Sequence, residues 1–123
     1  MTLITTYRPL NCKVRPWLEI EDSYNRFYGE QYKSNMGELV RHIIQSGLSN
    51  RLYGLTSMWK LIIGIYDPIE WHRETLHVTY DIEKDNWHFV YYSIPFREPG
   101  FVRTYPSESG IMKFDQFIKM VRW

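Results

Sequence analysis

A single cysteine, Cys12, stands among the 123 residues. No intrachain disulfide can form and no cysteine-based metal cluster can be built, which points to a reducing compartment. Long apolar runs are missing too: the longest, Leu61 to Tyr66, is interrupted by Gly64 and is far too short to span a bilayer. The opening residues, Met1 to Pro9, have neither a basic start nor an apolar stretch, so they do not read as a secretory signal. The expectation is a soluble cytoplasmic chain with no membrane contact. Also absent are a Gly-x-Gly-x-x-Gly turn, a Walker loop and a Gly-x-Ser-x-Gly elbow, which removes support for a nucleotide cofactor or elbow-type hydrolysis. Glu70-Trp71-His72-Arg73-Glu74 lacks the second histidine that a His-Glu-x-x-His zinc helix needs, so no metal and no cofactor are expected.

Net charge is scarce as well, at +1. A dedicated nucleic-acid binder would be clearly basic, and no direct nucleic-acid contact is expected. The balance is nonetheless uneven. Residues 1 to 61 carry eight Lys/Arg against five Asp/Glu, whereas residues 62 to 123 carry seven against nine. Within 67 to 85 the acids Asp67, Glu70, Glu74, Asp81, Glu83 and Asp85 face only Arg73 and Lys84, a sum of −4. Near the N-terminus, Arg8, Lys13 and Arg15 interleave with Tyr7 and Trp17 as in a single-strand clamp, but three charges are too few for one.

What the chain has in quantity is aromatic side chains: five Trp, ten Tyr and six Phe. That load argues against disorder, and at 15.0 kDa a single domain spanning 1–123 can bury a core without staples. Tyr and Trp in excess of core needs are favoured at contact surfaces.

From Thr75 to Ser93 apolar and polar residues alternate, which predicts a β-hairpin turning at Glu83-Lys84-Asp85-Asn86. Pairing Ile82 with Trp87, Tyr80 with Phe89 and Val78 with Tyr91 places the large apolar residues on one face, and sets Asp81 opposite His88 on the other. Ser57 to Tyr66 reads as one central strand buried on both faces, with Gly64 marking a bulge or close approach. Met36 to Ser46 reads as a helix, with Asn35 and Glu38 as a capping-box-like start and Gly47 as the stop. Phe114, Phe117, Ile118 and Val121 predict a terminal helix starting near Asp115 or slightly earlier. Trp17 to Ile20 suggests a short strand, Asp22 to Tyr32 a helix, and Phe101 to Tyr105 a short strand between loops. The sum is an α+β fold: an antiparallel or mixed sheet of four to six strands with two or three helices packed mainly on one face.

Carboxylates spaced among indoles suit a contact with a basic cleft, with the rings as desolvated anchors. The candidate partner-binding residues are Glu70, Trp71, Glu74, Asp81, Glu83, Asp85 and Tyr92; Trp87 falls on the core face. An alternative chemistry is hydrolysis of ribonuclease type by His77 or His88, since a carboxylate such as Asp81 can orient an imidazole as general base. No nucleophile or anion-stabilising element is tied to that pair by sequence, and no catalytic residue is assigned.

A small, aromatic-rich, single-domain α+β chain without a catalytic motif resembles the bacterial immunity proteins of contact-dependent growth inhibition and related polymorphic-toxin systems. The resemblance implies a non-enzymatic cytoplasmic protein whose partner is a cognate toxin domain, often a nuclease, blocked sterically and electrostatically. Many nuclease antidotes of this kind are strongly acidic overall; here acidity is confined to one stretch.

Overall fold

A computed structural model describes residues 13–28, 34–69, 73–93 and 99–123. Its elements run α1 (Trp17–Tyr28), α2 (Asn35–Gln45), β1 (Tyr53–Ser57), β2 (Lys60–Gly64), β3 (Thr75–Asp81), β4 (Asn86–Tyr92), β5 (Phe101–Pro106) and α3 (Gly110–Val121), with single 3-10 turns at Leu48–Asn50 and Ser107–Ser109. The five strands form an antiparallel meander in the order β1-β2-β3-β4-β5. Helices pack against this open sheet, giving the α+β fold that the sequence predicts.

Trp17 to Ile20 is not a strand but the first turn of α1. The Pro16 carbonyl accepts from the Glu19 and Ile20 amides at 3.0 and 3.1 Å, and Trp17, Ile20 and Tyr24 form the buried stripe. That stripe has helical spacing, which a four-residue window cannot distinguish from alternation. In α2 the cap is Ser34, whose hydroxyl accepts from the Gly37 amide at 3.0 Å, so Asn35 lies inside the helix. Gly47 follows the helix at φ 84, the left-handed stop that glycine adopts without penalty. The two helices are clamped by Arg41, which donates twice to Glu21 at 2.6 Å, and α2 reaches α3 through His42 and Asp115 at 2.8 Å. Because the Glu21 side chain is nearly excluded from solvent, this clamp is worth more than an exposed ion pair.

The terminal helix starts earlier than the apolar stripe alone predicts, at Gly110. That residue lies against the Trp87 indole so closely that a β-carbon would collide with the ring. The indole in turn donates to the Ser107 carbonyl at 3.0 Å. Phe114, Phe117 and Ile118 then join Ile20, Leu39, Ile43, Leu61, Ile63, Leu76, Val78, Trp87 and Phe89 in one core between helices and sheet.

The span Ser57 to Tyr66 is not one strand. Ser57 ends β1, Met58 and Trp59 form a two-residue turn, and Lys60 opens β2, with Ser57 opposite Lys60. The prediction of burial on both faces holds for β2 itself: Leu61 and Ile63 face the helices, while Ile62 joins Leu55 and Ile69 on the other side. Gly64 stays in register opposite Tyr53 and marks no bulge.

The β3–β4 hairpin has the predicted faces but not the predicted register. Tyr80 stands opposite Trp87, Val78 opposite Phe89 and Leu76 opposite Tyr91, a slip of two residues. A slip of two preserves every side-chain direction, so alternation cannot detect it. The turn is Ile82–Asp85 rather than 83–86, and Ile82 is 60% exposed instead of paired with Trp87.

Candidate protein-binding surface

In an antiparallel meander, alternate connections emerge at the same end of the sheet. Here the β1–β2 turn, the β3–β4 turn and the exit of β5 share one end, as the pairs Ser57 with Lys60, Asp81 with Asn86 and Asn86 with Pro106 require. Strand spacing separates the two hairpin turns by roughly 10 Å across the sheet. Of the seven exposed large hydrophobic residues among those described, Met58, Trp59 and Ile82 lie in these turns, and Met112 is in the first turn of α3, which begins from the same end. Four of the seven therefore lie at one end, while Leu18, Val102 and Met120 lie elsewhere.

Met58 and Trp59 are 90% and 59% exposed and hold φ of 50 and 71. Two consecutive positive φ values are those of a type I′ hairpin turn, which favours Asn-Gly and penalises bulky side chains. The tip is held from behind: the Tyr24 hydroxyl donates to the Trp59 carbonyl at 3.2 Å. Arg15 ties the end of β1 to α1, donating to Thr56 Oγ1 at 2.7 Å, Ser23 Oγ at 2.9 Å and Glu19 Oε1 at 3.2 Å. Between α1 and the turn lies a shallow cleft of about 270 Å³ lined by Ser23, Tyr24, Thr56, Met58 and Trp59. It offers three hydroxyl-bearing walls beside a thioether and an indole.

In the neighbouring turn, Asp81 accepts from the Lys84 amide at 3.1 Å, Asp85 takes φ 56, and the Tyr80 hydroxyl donates to Asp85. Burial, and then that bond to the Asp85 carboxylate, pushes the Tyr80 phenol up to about 12, which keeps it a donor. Glu83 projects into solvent, and Glu108 follows β5. Asp81, Glu83, Asp85 and Glu108 against Lys60, Lys84 and Lys113, whose ammonium lies over the Tyr105 ring, give this end −1, with the excess on residues 81–85, which sum to −2; the whole chain carries +1.

The structure thus brings Asp81, Glu83 and Asp85 together. Glu74 precedes β3 at its opposite end, roughly 20 Å away by strand rise. Tyr92, paired with Thr75, shares that far end and packs on the His77 ring at 4.9 Å. Glu70 and Trp71 lie outside the described residues. Trp87 is buried. Met58, Trp59, Ile82 and Glu108 escaped sequence reasoning. Met58-Trp59 interrupts no apolar pattern and holds no turn-forming residue, so nothing in the sequence marks the first turn. The basic run reads differently in three dimensions: Arg15 is engaged in internal bonds and Trp17 is buried, while Tyr7 and Arg8 lie outside the described residues.

Asp81 does not face His88. Its opposite residue is Asn86, while His88 stands opposite Thr79 with Nδ1 3.2 Å from Thr104 Oγ1. His77 and His88 share the sheet face that carries none of the described helices, as diagonal neighbours roughly 7–8 Å apart, backbone to backbone. Burial, assisted by the Lys60 charge, lowers the His77 imidazole to about 4, so it is neutral at physiological pH. Among the described residues no three His, Cys, Asp or Glu side chains converge to hold a metal, and no helix is long and apolar enough to cross a membrane. No family model, curated protein or solved structure matches the chain.

Proposed function

We propose that the chain is a non-catalytic immunity protein that acts in the cytoplasm by binding and neutralising a cognate toxin domain, such as a nuclease, through the turn end of its sheet. The observation that carries this reading is the convergence of exposed Met58, Trp59 and Ile82 with Asp81, Glu83, Asp85 and Glu108 at that end. Large apolar anchors ringed by charge are how compact inhibitors bind tightly. Local acidity suits a partner whose active cleft is basic, as a nuclease cleft is. Glu74 and Tyr92, at the far end of the hairpin, are left out of the proposed contact. The test mixes the purified chain with the toxin domain encoded beside it and follows complex formation by calorimetry and toxin activity. A stoichiometric complex that silences the toxin is expected; active toxin and no heat of binding would sink the proposal.

A second reading, ribonuclease chemistry, draws on the placement of His77 and His88 on one sheet face, with Lys60 close enough to act on His77. An imidazole lowered to about 4 is neutral but only weakly basic, and among the described residues that face groups no cluster of cations for a phosphate. RNA cleavage lost in His77→Ala and His88→Ala variants would favour it over inhibition.

A further inference from the structure

We infer that the Met58–Trp59 turn is a preorganised anchor, kept in a backbone conformation unfavourable to its own residues, and that it inserts into an apolar slot on a basic protein surface. The inference rests on the toxin-binding reading and names the part of the surface that sets residence time. Three features meet at the turn. Its side chains are among the most exposed apolar groups described, and Trp is the residue most enriched at binding hot spots. Left-handed backbone at two bulky residues is an unfavourable choice where Asn-Gly would fold better, and such a choice persists when something other than folding selects it. The tip is also braced, by Tyr24 on the Trp59 carbonyl and by Arg15 across Thr56 and Ser23, so little ordering remains to be done on binding.

The occupant follows from shape and charge. A projecting Met-Trp pair beside a 270 Å³ cleft fits a slot with an apolar floor, the cleft taking a side chain from the slot's lip. The adjacent residues 81–85, at −2 on a chain of +1, fit a rim of Lys and Arg. A nucleic acid matches that combination less well, because it is anionic and offers no basic rim.

The two elements then divide the kinetics. Desolvated anchors govern dissociation, and rim charges govern association. Surface plasmon resonance with the toxin domain encoded beside this chain, at two salt concentrations, reads both rates. Trp59→Ala is expected to raise the dissociation rate about 30-fold or more with the association rate nearly unchanged. Glu83→Lys with Glu108→Lys is expected to slow association at low salt about tenfold and to leave dissociation nearly unchanged. Met58→Asn supplies the structural control: its midpoint of thermal unfolding should rise while its complex dissociates faster, a pairing that a merely structural turn would not give. If wild type binds but Trp59→Ala and Met58→Asn dissociate at the wild-type rate, the anchor is refuted and the toxin-binding reading stands. If wild type does not bind, both fall.

Discussion

Two turns lie side by side at one end of this sheet and are built on opposite terms. The Ile82–Asp85 turn follows local chemistry: a carboxylate caps an amide, an aspartate takes the left-handed position that Asp tolerates, and a tyrosine hydroxyl holds that aspartate in place. The Met58–Trp59 turn does the reverse, placing two large apolar residues where glycine and asparagine belong and facing them to solvent. Side chains supply the bonds that make the first turn, whereas the second is imposed by the pairing of β1 with β2 and by braces from α1. One turn is shaped to fold and the other to present a surface.

That contrast can be broken in order of effect. The largest stability change is expected where neither turn is touched: Phe89→Ala, in the core beneath the sheet, should cost about 3–5 kcal/mol by urea denaturation and sets the scale for the rest. Acid should reveal the next. The folded pKa of His77 lies near 4, below the ordinary 6.5, so its contribution is intact above pH 6.5 and is lost as pH falls toward 4. Thermal melts from pH 7 to 4.5 should show a decline of up to roughly 3 kcal/mol that flattens in His77→Gln; an unchanged slope would mean that carboxylates alone set the acid limit. The turns themselves should then differ in sign. Asp81→Ala removes the cap on the Lys84 amide and is expected to destabilise by about 1 kcal/mol. Met58→Asn relieves left-handed strain and should stabilise by about 0.5–1 kcal/mol, read as a higher unfolding midpoint. Equal signs at the two turns would erase the distinction.

Alternation placed Val78, Trp87 and Phe89 on the core face and His77 and His88 on the other, because a strand's side-chain period of two is local. The same alternation could not choose between registers two residues apart. Turn chemistry chose, when Asp81 capped the Lys84 amide and expelled Ile82 from the ladder. Ser57 to Tyr66 read as one strand because Met-Trp carries no turn signal; only the braces from Tyr24 and Arg15 account for a bend there. Trp17 to Ile20 read as a strand because the rest of its helical stripe, Tyr24, falls outside so short a window. Of the candidate contact residues, Asp81, Glu83 and Asp85 were legible because a hairpin turn keeps sequence neighbours together. Met58, Trp59 and Glu108 were not, since they reach the same end through strands distant in sequence.

By itself, then, the sequence determined the α+β class, the faces of the hairpin, the stripes of two helices and the restriction of acidity to one stretch, all of them consequences of spacing within a few residues. Tertiary structure decided the left-handed Met58–Trp59 turn and the gathering of exposed apolar and acidic groups at one end. Those depend on which strands lie next to each other, and that is settled by burial across the whole sheet rather than by any neighbour in the chain.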